Sequence, residues 1–273
     1  MDRDAKMSRT SVEVAHTRVG DEGQPLIVLH GLFGAGSNWR TIAHGLKDCR
    51  SVYLLDARNH GRSPHTPITD YATMAADVAA FMDRHSIASA DILGHSMGGK
   101  TAMHLALNQP ERVSRLLVVD IVPAPSPNDY QPLIDALLAL PIEQFTRRSE
   151  AAQILARSVA DPGLRTFLLQ NLSSTANGFE WRINLTVLRD CIPALLAFDC
   201  ESSQCFAGPT AFIRGARSEY VTDEAHRSRI SELFPKASIH TVLDAGHWVH
   251  AEQPALFLQA ARSFLQCPDY DNR

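Results

Sequence analysis

Short apolar runs alternate along the chain with longer stretches whose apolar residues recur every three or four positions. The runs are 25–30, 51–56, 91–94, 115–120 and 209–214, and a last strand is predicted at 237–243. Uninterrupted runs of this length are typical of strands buried on both faces of a parallel sheet. The longer stretches predict helices, and capping residues suggest where two of them begin: Asn38 for a helix to about Leu46, and Asp70 for a helix to Arg84. The alternating stretch 11–19 predicts an N-terminal edge strand.

Strands that alternate with helices favour an α/β fold with a mostly parallel, doubly wound sheet. The alternation stops between 124 and 205, where no strand is expected and helices are predicted at 131–140, at 150–160, after the cap Asp161, and at 183–198. We therefore predict a core built from 1–123 and 206–273, with a helical lid inserted at 124–205. Most aromatic residues of the insert are expected to pack the lid onto the core.

One junction between a strand and a helix carries a candidate nucleophile. The segment GHSMG (94–98) follows the run 91–94 and precedes a helical pattern at 101–108. It fits the G-x-S-x-G nucleophile elbow, in which the serine sits in a strained turn and the glycines remove side chains that would collide there. We predict Ser96 as the nucleophile. The backbone N–H of Met97, the next residue, is predicted as one donor to the oxyanion.

A serine hydroxyl needs a base within hydrogen-bonding reach, and twelve histidines are available. His247 lies in a loop just after the last predicted strand, at the carboxyl edge of the sheet where the elbow also opens. The chain order, serine first and histidine near the C-terminus, is the one expected of α/β-hydrolases. We predict His247 as the base and keep His250 as a second candidate.

Five segments together resemble the YbfF-like esterases of the α/β-hydrolase superfamily. They are HGLFG (30–34), RNHGRS (58–63), GHSMGGK (94–100), WRIN (181–184) and GHWVH (246–250), and the likeness extends over about 25–265. The resemblance implies an α/β-hydrolase fold with an inserted lid. It also implies a carboxylesterase, with acyl-CoA thioesterase activity as an open extension.

The carboxylate that supports the histidine has three candidates. In most α/β-hydrolases it follows the strand at 209–214, but Ser218 stands where an aspartate is usual. Glu219 and Asp223 are nearby alternatives. Asp120 ends the apolar run 115–120, where burial without a partner would be costly, and the resemblance also implies an acid at this place. We predict Asp120 and keep Glu219 and Asp223 open.

The remaining predicted site residues come from the loop after His30, from the lid and from the histidine loop. The backbone N–H of Leu32 is the predicted second oxyanion donor. Phe33, Trp181, Arg182 and Trp248 are predicted substrate contacts. Arg182 has two open roles: it either grips an acyl-chain or acidic group of the substrate or holds the lid in place.

These residues predict a serine hydrolase (EC 3.1) that cleaves carboxylic esters, and by extension acyl-CoA thioesters, through an acyl-enzyme on Ser96. The alternatives are a perhydrolase or haloperoxidase-like enzyme, a hydrolase of C–C bonds, and a non-catalytic ligand receptor. No metal and no organic cofactor is implied.

Charge, apolar runs and cysteine spacing limit the partners and the cellular location that we expect. A net charge of −4 and a pI near 6.3 give no reason to expect nucleic acid, and no apolar run is long enough to span a membrane. The expected partner is a small ester or thioester, and the oligomeric state stays open. The charged N-terminus lacks the apolar region of a secretory signal, and the five cysteines match no zinc pattern. We expect reduced thiols and a cytoplasmic location.

Overall fold

The computed structural model of the chain describes residues 11–176, 178–200, 204–221 and 224–268. Its strands are β1 His16–Val19, β2 Gln24–Leu29, β3 Arg50–Leu55, β4 Ala90–His95, β5 Val113–Val119, β6 Leu172–Thr175, β7 Gly178–Trp181, β8 Thr210–Gly215 and β9 Ala237–Val242. Seven of them form one sheet in the order β1-β3-β2-β4-β5-β8-β9, in which only β1 is antiparallel to its neighbour. This confirms the predicted α/β class.

Helices cover both faces of the sheet. They are α1 Arg40–His44, α2 Tyr71–Arg84, α3 Met97–Asn108, α4 Gln131–Leu138, α5 Arg148–Leu155, α6 Pro162–Leu169, α7 Leu185–Leu196, α8 Glu224–Leu233, α9 Val249–Glu252 and α10 Pro254–Leu265. Short 3₁₀ turns lie at Gly36–Trp39, Pro110–Arg112 and Ile142–Gln144. Within the described ranges, no helix has the length and apolar character needed to cross a membrane.

Two of the predicted helix caps are present and one is wrong. The carboxylate of Asp70 accepts from the Thr73 N–H at 2.7 Å, and that of Asp161 accepts from the Leu164 N–H at 2.5 Å, so both satisfy a free donor of a first helical turn. Asn38 instead lies inside a 3₁₀ turn, where its Oδ1 accepts from the Ala35 N–H at 2.8 Å. Helix α1 therefore begins only at Arg40.

The central strands are apolar on both faces because each face packs against helices. In β2, Ile27 and Leu29 belong to the apolar layer that contains α2, α3 and α8, whereas Leu26 and Val28 belong to the layer that contains α1 and α10. All four are buried. The uninterrupted apolar run is therefore what a covered parallel strand requires.

The chain between β5 and β8 holds α4 to α7 and a third apolar cluster, in which Ile134, Leu168 and Leu188 pack with Phe33 and Met97 of the sheet side. The expectation that this stretch contains no strand is wrong. Strands β6 and β7 form an antiparallel hairpin between α6 and α7. Each has four residues, and β6 reads Leu-Ser-Ser-Thr, so no apolar run marks it in the sequence.

The cysteines also depart from expectation. Cys49, just before β3, is bonded to Cys267, just after α10, and the two lie 218 residues apart in the sequence. The packing of α10 on α1 and β3 brings their Cα atoms to 5.6 Å, within the range a disulfide requires. Cys191, Cys200 and Cys205 are free thiols, so the expectation of five reduced cysteines is wrong.

Candidate active site

Ser96 occupies a sharp turn between β4, which ends at His95, and α3, which begins at Met97. Its backbone φ of 52° and ψ of −117° lie in a region that residues other than glycine rarely adopt. A Cβ on Gly94 would stand 2.2 Å from the Gly98 carbonyl oxygen, and a Cβ on Gly98 would stand 2.3 Å from that of Leu29. Both glycines are therefore needed for the strand, the turn and the helix to approach so closely.

His247 lies in the loop after β9, and its Nδ1 is 2.8 Å from Oδ2 of Asp120. The Asp120 side chain is fully buried, whereas 18% of the His247 side chain is exposed. Asp120 follows β5 with a φ of 50°, so the chain turns sharply where this carboxylate meets the histidine. Glu219 is exposed and makes no hydrogen bond to His247, and Asp223 lies outside the described residues.

The Asp120 carboxylate is held by two more donors, both from β8 and the loop after it, where most α/β-hydrolases place the acid. The Gly215 N–H donates to Oδ1 at 3.0 Å, and the Ser218 hydroxyl donates to Oδ2. The Tyr220 N–H in turn donates to Ser218 Oγ at 3.3 Å. Three hydrogen bonds to one buried carboxylate fix its direction.

Tyr220 was missed by sequence reasoning. Its ring stacks on the His247 ring, with centroids 4.3 Å apart and an interplanar angle of 24°. Its hydroxyl lies 2.8 Å from that of Tyr130, and it also accepts from the Asn128 side-chain amide. The only signal in the sequence was its position two residues after Ser218.

The loop after β2 stands over the serine. A Cβ on Gly31 would lie 2.8 Å from His95 Nδ1 and 3.3 Å from the Ser96 Cβ, so a larger residue would require the His95 ring to shift. Among the hydrogen bonds of the described residues, none uses the backbone N–H of Leu32 or of Met97. Phe33 has a φ of 63°, and its carbonyl accepts from the Asn171 side-chain amide at 2.8 Å, which ties this loop to the segment before β6.

The other histidines of the site are held neutral. His30 Nε2 accepts from the Ala57 N–H at 2.9 Å, which leaves Nδ1 to donate to the Gly31 carbonyl at 2.8 Å. Burial lowers the pKa of His30. Burial, and then the nearby His247, lower the pKa of His95 further.

His95 Nε2 lies 2.9 Å from the carbonyl oxygen of His247 and donates to it, which braces the loop. Because His250 stacks on Trp39 at 3.8 Å, it is buried, and burial with the nearby His247 lowers its pKa to about 3. His250 is therefore a packed aromatic residue, whereas His247 is the histidine that pairs with Asp120.

One cavity of about 810 Å³ contains Ser96, His247, Leu32, Phe33 and Trp248 in its lining. The part of the chain between β5 and β8 contributes apolar side chains to it, among them Leu133, Val159, Leu164 and Phe167, and also the polar Asn128, Asp129, Ser158 and Asp161. Met97 lies beside it, in a small recess that also contains Leu32 and Ser96. Two predicted substrate contacts lie elsewhere: Trp181 packs in the third apolar cluster, and Arg182 lines a second cavity.

Lys100, one turn along α3 from the serine, is a buried cation that sequence reasoning left without a role. Its Nζ donates to the Ser126 hydroxyl and the Leu196 carbonyl, both at 3.0 Å, and to the Ala197 carbonyl at 3.3 Å. Burial lowers its pKa to about 8. It thereby joins the segment that leaves β5 to the end of α7.

A serine at a nucleophile elbow and a histidine paired with a buried aspartate, at one cavity on the carboxyl edge of a parallel sheet, are typical of serine ester hydrolases. The chain belongs to the α/β-hydrolase family, whose model, described as the alpha/beta hydrolase fold, matches residues 24–254.

Three known proteins make the relationship concrete. The sn-1-specific diacylglycerol lipase ABHD11 of Xenopus laevis is 42% identical over 252 residues, which cover 89% of this chain and 80% of that protein. Esterase YbfF of Escherichia coli is 35% identical over 246 residues, which cover 88% of this chain and 92% of that protein. A solved marine microorganism esterase superposes with a TM-score of 0.90 at 38% identity, covering 93% of this chain and all of that one. The resemblance to the YbfF-like esterases is confirmed, and the chain is a serine ester hydrolase.

Proposed function

We propose that Ser96, His247 and Asp120 form a catalytic triad that cleaves carboxylic esters through an acyl-enzyme. The observation that carries this proposal is the 2.8 Å contact between His247 Nδ1 and the buried Asp120 carboxylate, at a cavity that also contains Ser96. With Nδ1 bonded to the acid, Nε2 is left as the free nitrogen of the imidazole. That tautomer can accept the serine proton.

In the first half of the reaction, Ser96 Oγ attacks the ester carbonyl carbon while His247 Nε2 takes its proton. The carbonyl oxygen becomes an oxyanion, and the Asp120 carboxylate stabilises the imidazolium. When the C–O bond to the leaving group breaks, His247 returns the proton to the departing alkoxide. The product is an alcohol, and the acyl group stays on Ser96.

In the second half, His247 removes a proton from a water molecule that attacks the acyl carbon. The bond to Ser96 Oγ then breaks, the serine regains its proton, and a carboxylic acid leaves. We assign the backbone N–H groups of Leu32 and Met97 to the oxyanion in both halves. Because neither has an acceptor among the described residues, both are free to donate to developing charge.

We assign the apolar part of the 810 Å³ cavity to the acyl group, with Phe33 and Trp248 as contacts. Residues 124–205 are proposed to form a cap over the core of 1–123 and 206–273, because the side chains that this stretch sends into the cavity are largely apolar. Two relatives are named as a diacylglycerol lipase and an esterase, which supports esters with an apolar acyl chain. Thioesters of coenzyme A are the proposed extension.

A burst experiment tests the triad. Mixing the enzyme with p-nitrophenyl butyrate is expected to release about one p-nitrophenol per enzyme before the steady state if deacylation is the slower half. Ser96→Ala should abolish both the burst and covalent labelling by a fluorophosphonate. Ser86→Ala, which changes a serine outside the cavity, is the matched control.

The alternatives predict other results. A non-catalytic receptor would give neither burst nor labelling. A perhydrolase would label but would turn over faster when hydrogen peroxide replaces water as the acyl acceptor, and a C–C hydrolase would prefer a diketone to an ester. A series of p-nitrophenyl esters of rising acyl length, run beside acyl-CoAs, then defines the preferred acyl group.

The cytoplasmic location stays a prediction. It rested partly on reduced thiols, and the Cys49–Cys267 bond removes part of that support, since disulfides are uncommon in reducing compartments. The N-terminal segment on which it also rested, 1–10, lies outside the described residues.

A further inference from the structure

A second cavity, of about 210 Å³, lies at the junction between the core and the hairpin β6–β7. Three arginines line it: Arg40 from α1, Arg62 from the loop after β3, and Arg182 just after β7. One acidic residue, Asp56, completes the charged groups of the lining, so its formal charge is 3 − 1 = +2. A concave site with an excess of guanidinium groups attracts an anion.

The single carboxylate of Asp56 pairs with only one of the three arginines, Arg62. Asp56 is 3% exposed, and its carboxylate accepts from the Gly36 N–H at 2.8 Å and from the Arg62 N–H at 3.0 Å. It also accepts from Arg62 Nε at 3.3 Å. Among the described residues, Asp56 is thereby paired with Arg62 and holds this arginine in place.

Arg62 is nevertheless able to take a ligand. Its Nη2 donates to the His16 carbonyl and to Thr17 Oγ1, each at 3.1 Å. Its Nη1 has no acceptor within the described ranges, and 59% of the side chain is exposed. The guanidinium is therefore oriented by its other nitrogens and open on one side.

Arg40 and Arg182 are freer still. Neither forms an ion pair with an acidic residue in the described part of the chain. Arg182 makes a single long side-chain hydrogen bond, from Nη2 to Ser173 Oγ at 3.4 Å, and the Arg40 guanidinium has no protein acceptor there. Each guanidinium carries five N–H donors in a planar fork that matches the oxygens of a phosphate. Arg40 and Arg182 line the same cavity without an acidic partner in the described ranges, so N–H donors of both guanidiniums remain for a phosphate.

The second cavity adjoins the proposed ester site. Phe33 and Asn38 line both cavities, and the Asn38 side-chain amide donates to Gln170 Oε1 at 3.0 Å across the junction. Phe33 directly follows Leu32, the proposed oxyanion donor. A ligand with an acyl group at Ser96 could thus extend past Phe33 to the arginines.

We propose that Arg40, Arg62 and Arg182 form a binding site for a phosphate group, either carried by the alcohol or thiol part of the substrate or present as free phosphate. The proposal rests on the proposed function only in linking the phosphate to the substrate. It also gives Arg182 the first of its two predicted roles, contact with an acidic ligand group, in a cavity that the sequence did not reveal.

Calorimetric titration of the Ser96→Ala protein tests the site without any turnover. The probes are coenzyme A, pantetheine, which lacks the phosphates, and inorganic phosphate. We expect coenzyme A to bind more tightly than pantetheine. Arg40→Gln and Arg182→Gln should each weaken coenzyme A binding about tenfold, the effect of losing one charge-assisted hydrogen bond. Arg227→Gln, which removes an exposed arginine that lines neither cavity, is the control.

The three probes separate the sources of the phosphate. Arginine-dependent binding of coenzyme A assigns the site to a substrate-borne phosphate, whereas arginine-dependent binding of inorganic phosphate alone assigns it to the free ion. Equal affinity of all the arginine variants for both phosphate probes would overturn the proposal. Thermal melts of each variant verify folding, and the burst experiment fails or succeeds independently of these titrations.

Discussion

At the scale of single residues, Asp120 is the position on which the proposed mechanism depends most. It ends β5 with a positive φ, is fully buried, and accepts hydrogen bonds from His247, Gly215 and Ser218. An amide at this position could accept at one atom only and would have to present an N–H to another donor. The neighbouring Glu219 is exposed and takes no part in this network.

The first prediction compares these two acids. Asp120→Asn should lower kcat for p-nitrophenyl butyrate by about 10⁴-fold, because the imidazole loses the partner that sets its tautomer and stabilises its cation. Glu219→Gln should change kcat by less than about twofold. Steady-state kinetics on both purified variants provide the measurement. A large loss in Glu219→Gln with an active Asp120→Asn would move the acid to the loop after β8.

Residue types in sequence were enough to propose the serine and the histidine, because each follows a predicted strand, and the resemblance supported Asp120 as the acid. They were not sufficient for Tyr220, whose ring meets His247 only after β8 and β9 pair side by side. The same holds for Ser218: the sequence showed that it was not an acid, and only the fold shows that it donates to one.

At the scale of elements, α3 connects the nucleophile to the segment between β5 and β8. Lys100 on this helix contacts Ser126, at the start of that segment, and the carbonyls of Leu196 and Ala197, at its end. The Ser126 N–H also donates to the Leu196 carbonyl at 2.8 Å, and the Tyr71 hydroxyl donates to the Leu195 carbonyl at 2.5 Å. One buried cation therefore holds the start of this segment and the end of α7 against the helix that follows Ser96.

The second prediction concerns this cation. The pKa of Lys100 is lowered to about 8 in the folded protein from an ordinary 10.5, so between these values the unfolded chain binds more protons and stability rises with pH. Wild type should therefore gain about 2 kcal/mol relative to Lys100→Met between pH 8 and pH 9.5. Urea unfolding at the two pH values measures the difference.

Lys47→Met, which removes an exposed lysine, should follow wild type in the same titration. If Lys100→Met and wild type changed in parallel between the two pH values, Lys100 would not titrate in this range in the folded protein.

At the scale of the whole molecule, long-range links join the N-terminal half of the sheet to the last helix. The Cys49–Cys267 bond is reinforced by Arg50, whose Nε is 2.9 Å from Asp91 Oδ2 and whose Nη2 donates to the Leu265 carbonyl. These contacts hold the end of α10 against the residues at which β3 and β4 begin.

The third prediction concerns the disulfide. Cys49→Ser combined with Cys267→Ser should lower the free energy of unfolding by about 2–5 kcal/mol, because the bond closes a long loop in the unfolded chain. Urea unfolding measures the loss, and Cys191→Ser combined with Cys205→Ser is the control. Denatured, unreduced wild type should expose three thiols to a thiol reagent and five after reduction. Five thiols without reduction would contradict the bond.

The fourth prediction concerns acid. Burial lowers the pKa of His30, His60, His95 and His250, so below pH 6.5 the unfolded chain binds protons that the folded chain excludes, and the free energy of unfolding decreases as the pH falls. Each such histidine contributes a loss of about 1.4 kcal/mol per pH unit until its folded pKa is reached.

His250→Phe keeps an aromatic ring against Trp39 and removes one of the imidazoles that take up a proton on unfolding. Between pH 6.5 and pH 5, this variant should lose about 2 kcal/mol less than wild type in urea unfolding. His44→Phe, at an exposed histidine, should lose as much as wild type. Equal losses in all three proteins would mean that His250 is protonated in the folded state.

Amino-acid order alone determined the features that depend on neighbours in the chain: the strands from their apolar runs, the caps at Asp70 and Asp161, and the elbow at Ser96 from two glycines and a following helix. The resemblance that the motifs carry added the family and the place of the acid. Local patterns suffice here because a covered parallel strand and a capped helix each impose their requirements on consecutive residues.

Tertiary structure alone decided the contacts between distant segments. Three of these features join residues separated by many elements: the Cys49–Cys267 bond, the stacking of Tyr220 on His247, and the cavity that Arg40 and Arg182 both line. The polar hairpin β6–β7 is likewise defined by pairing and not by apolar periodicity. Such contacts follow from which elements pack side by side, and the spacing of residues along one chain does not encode that choice locally.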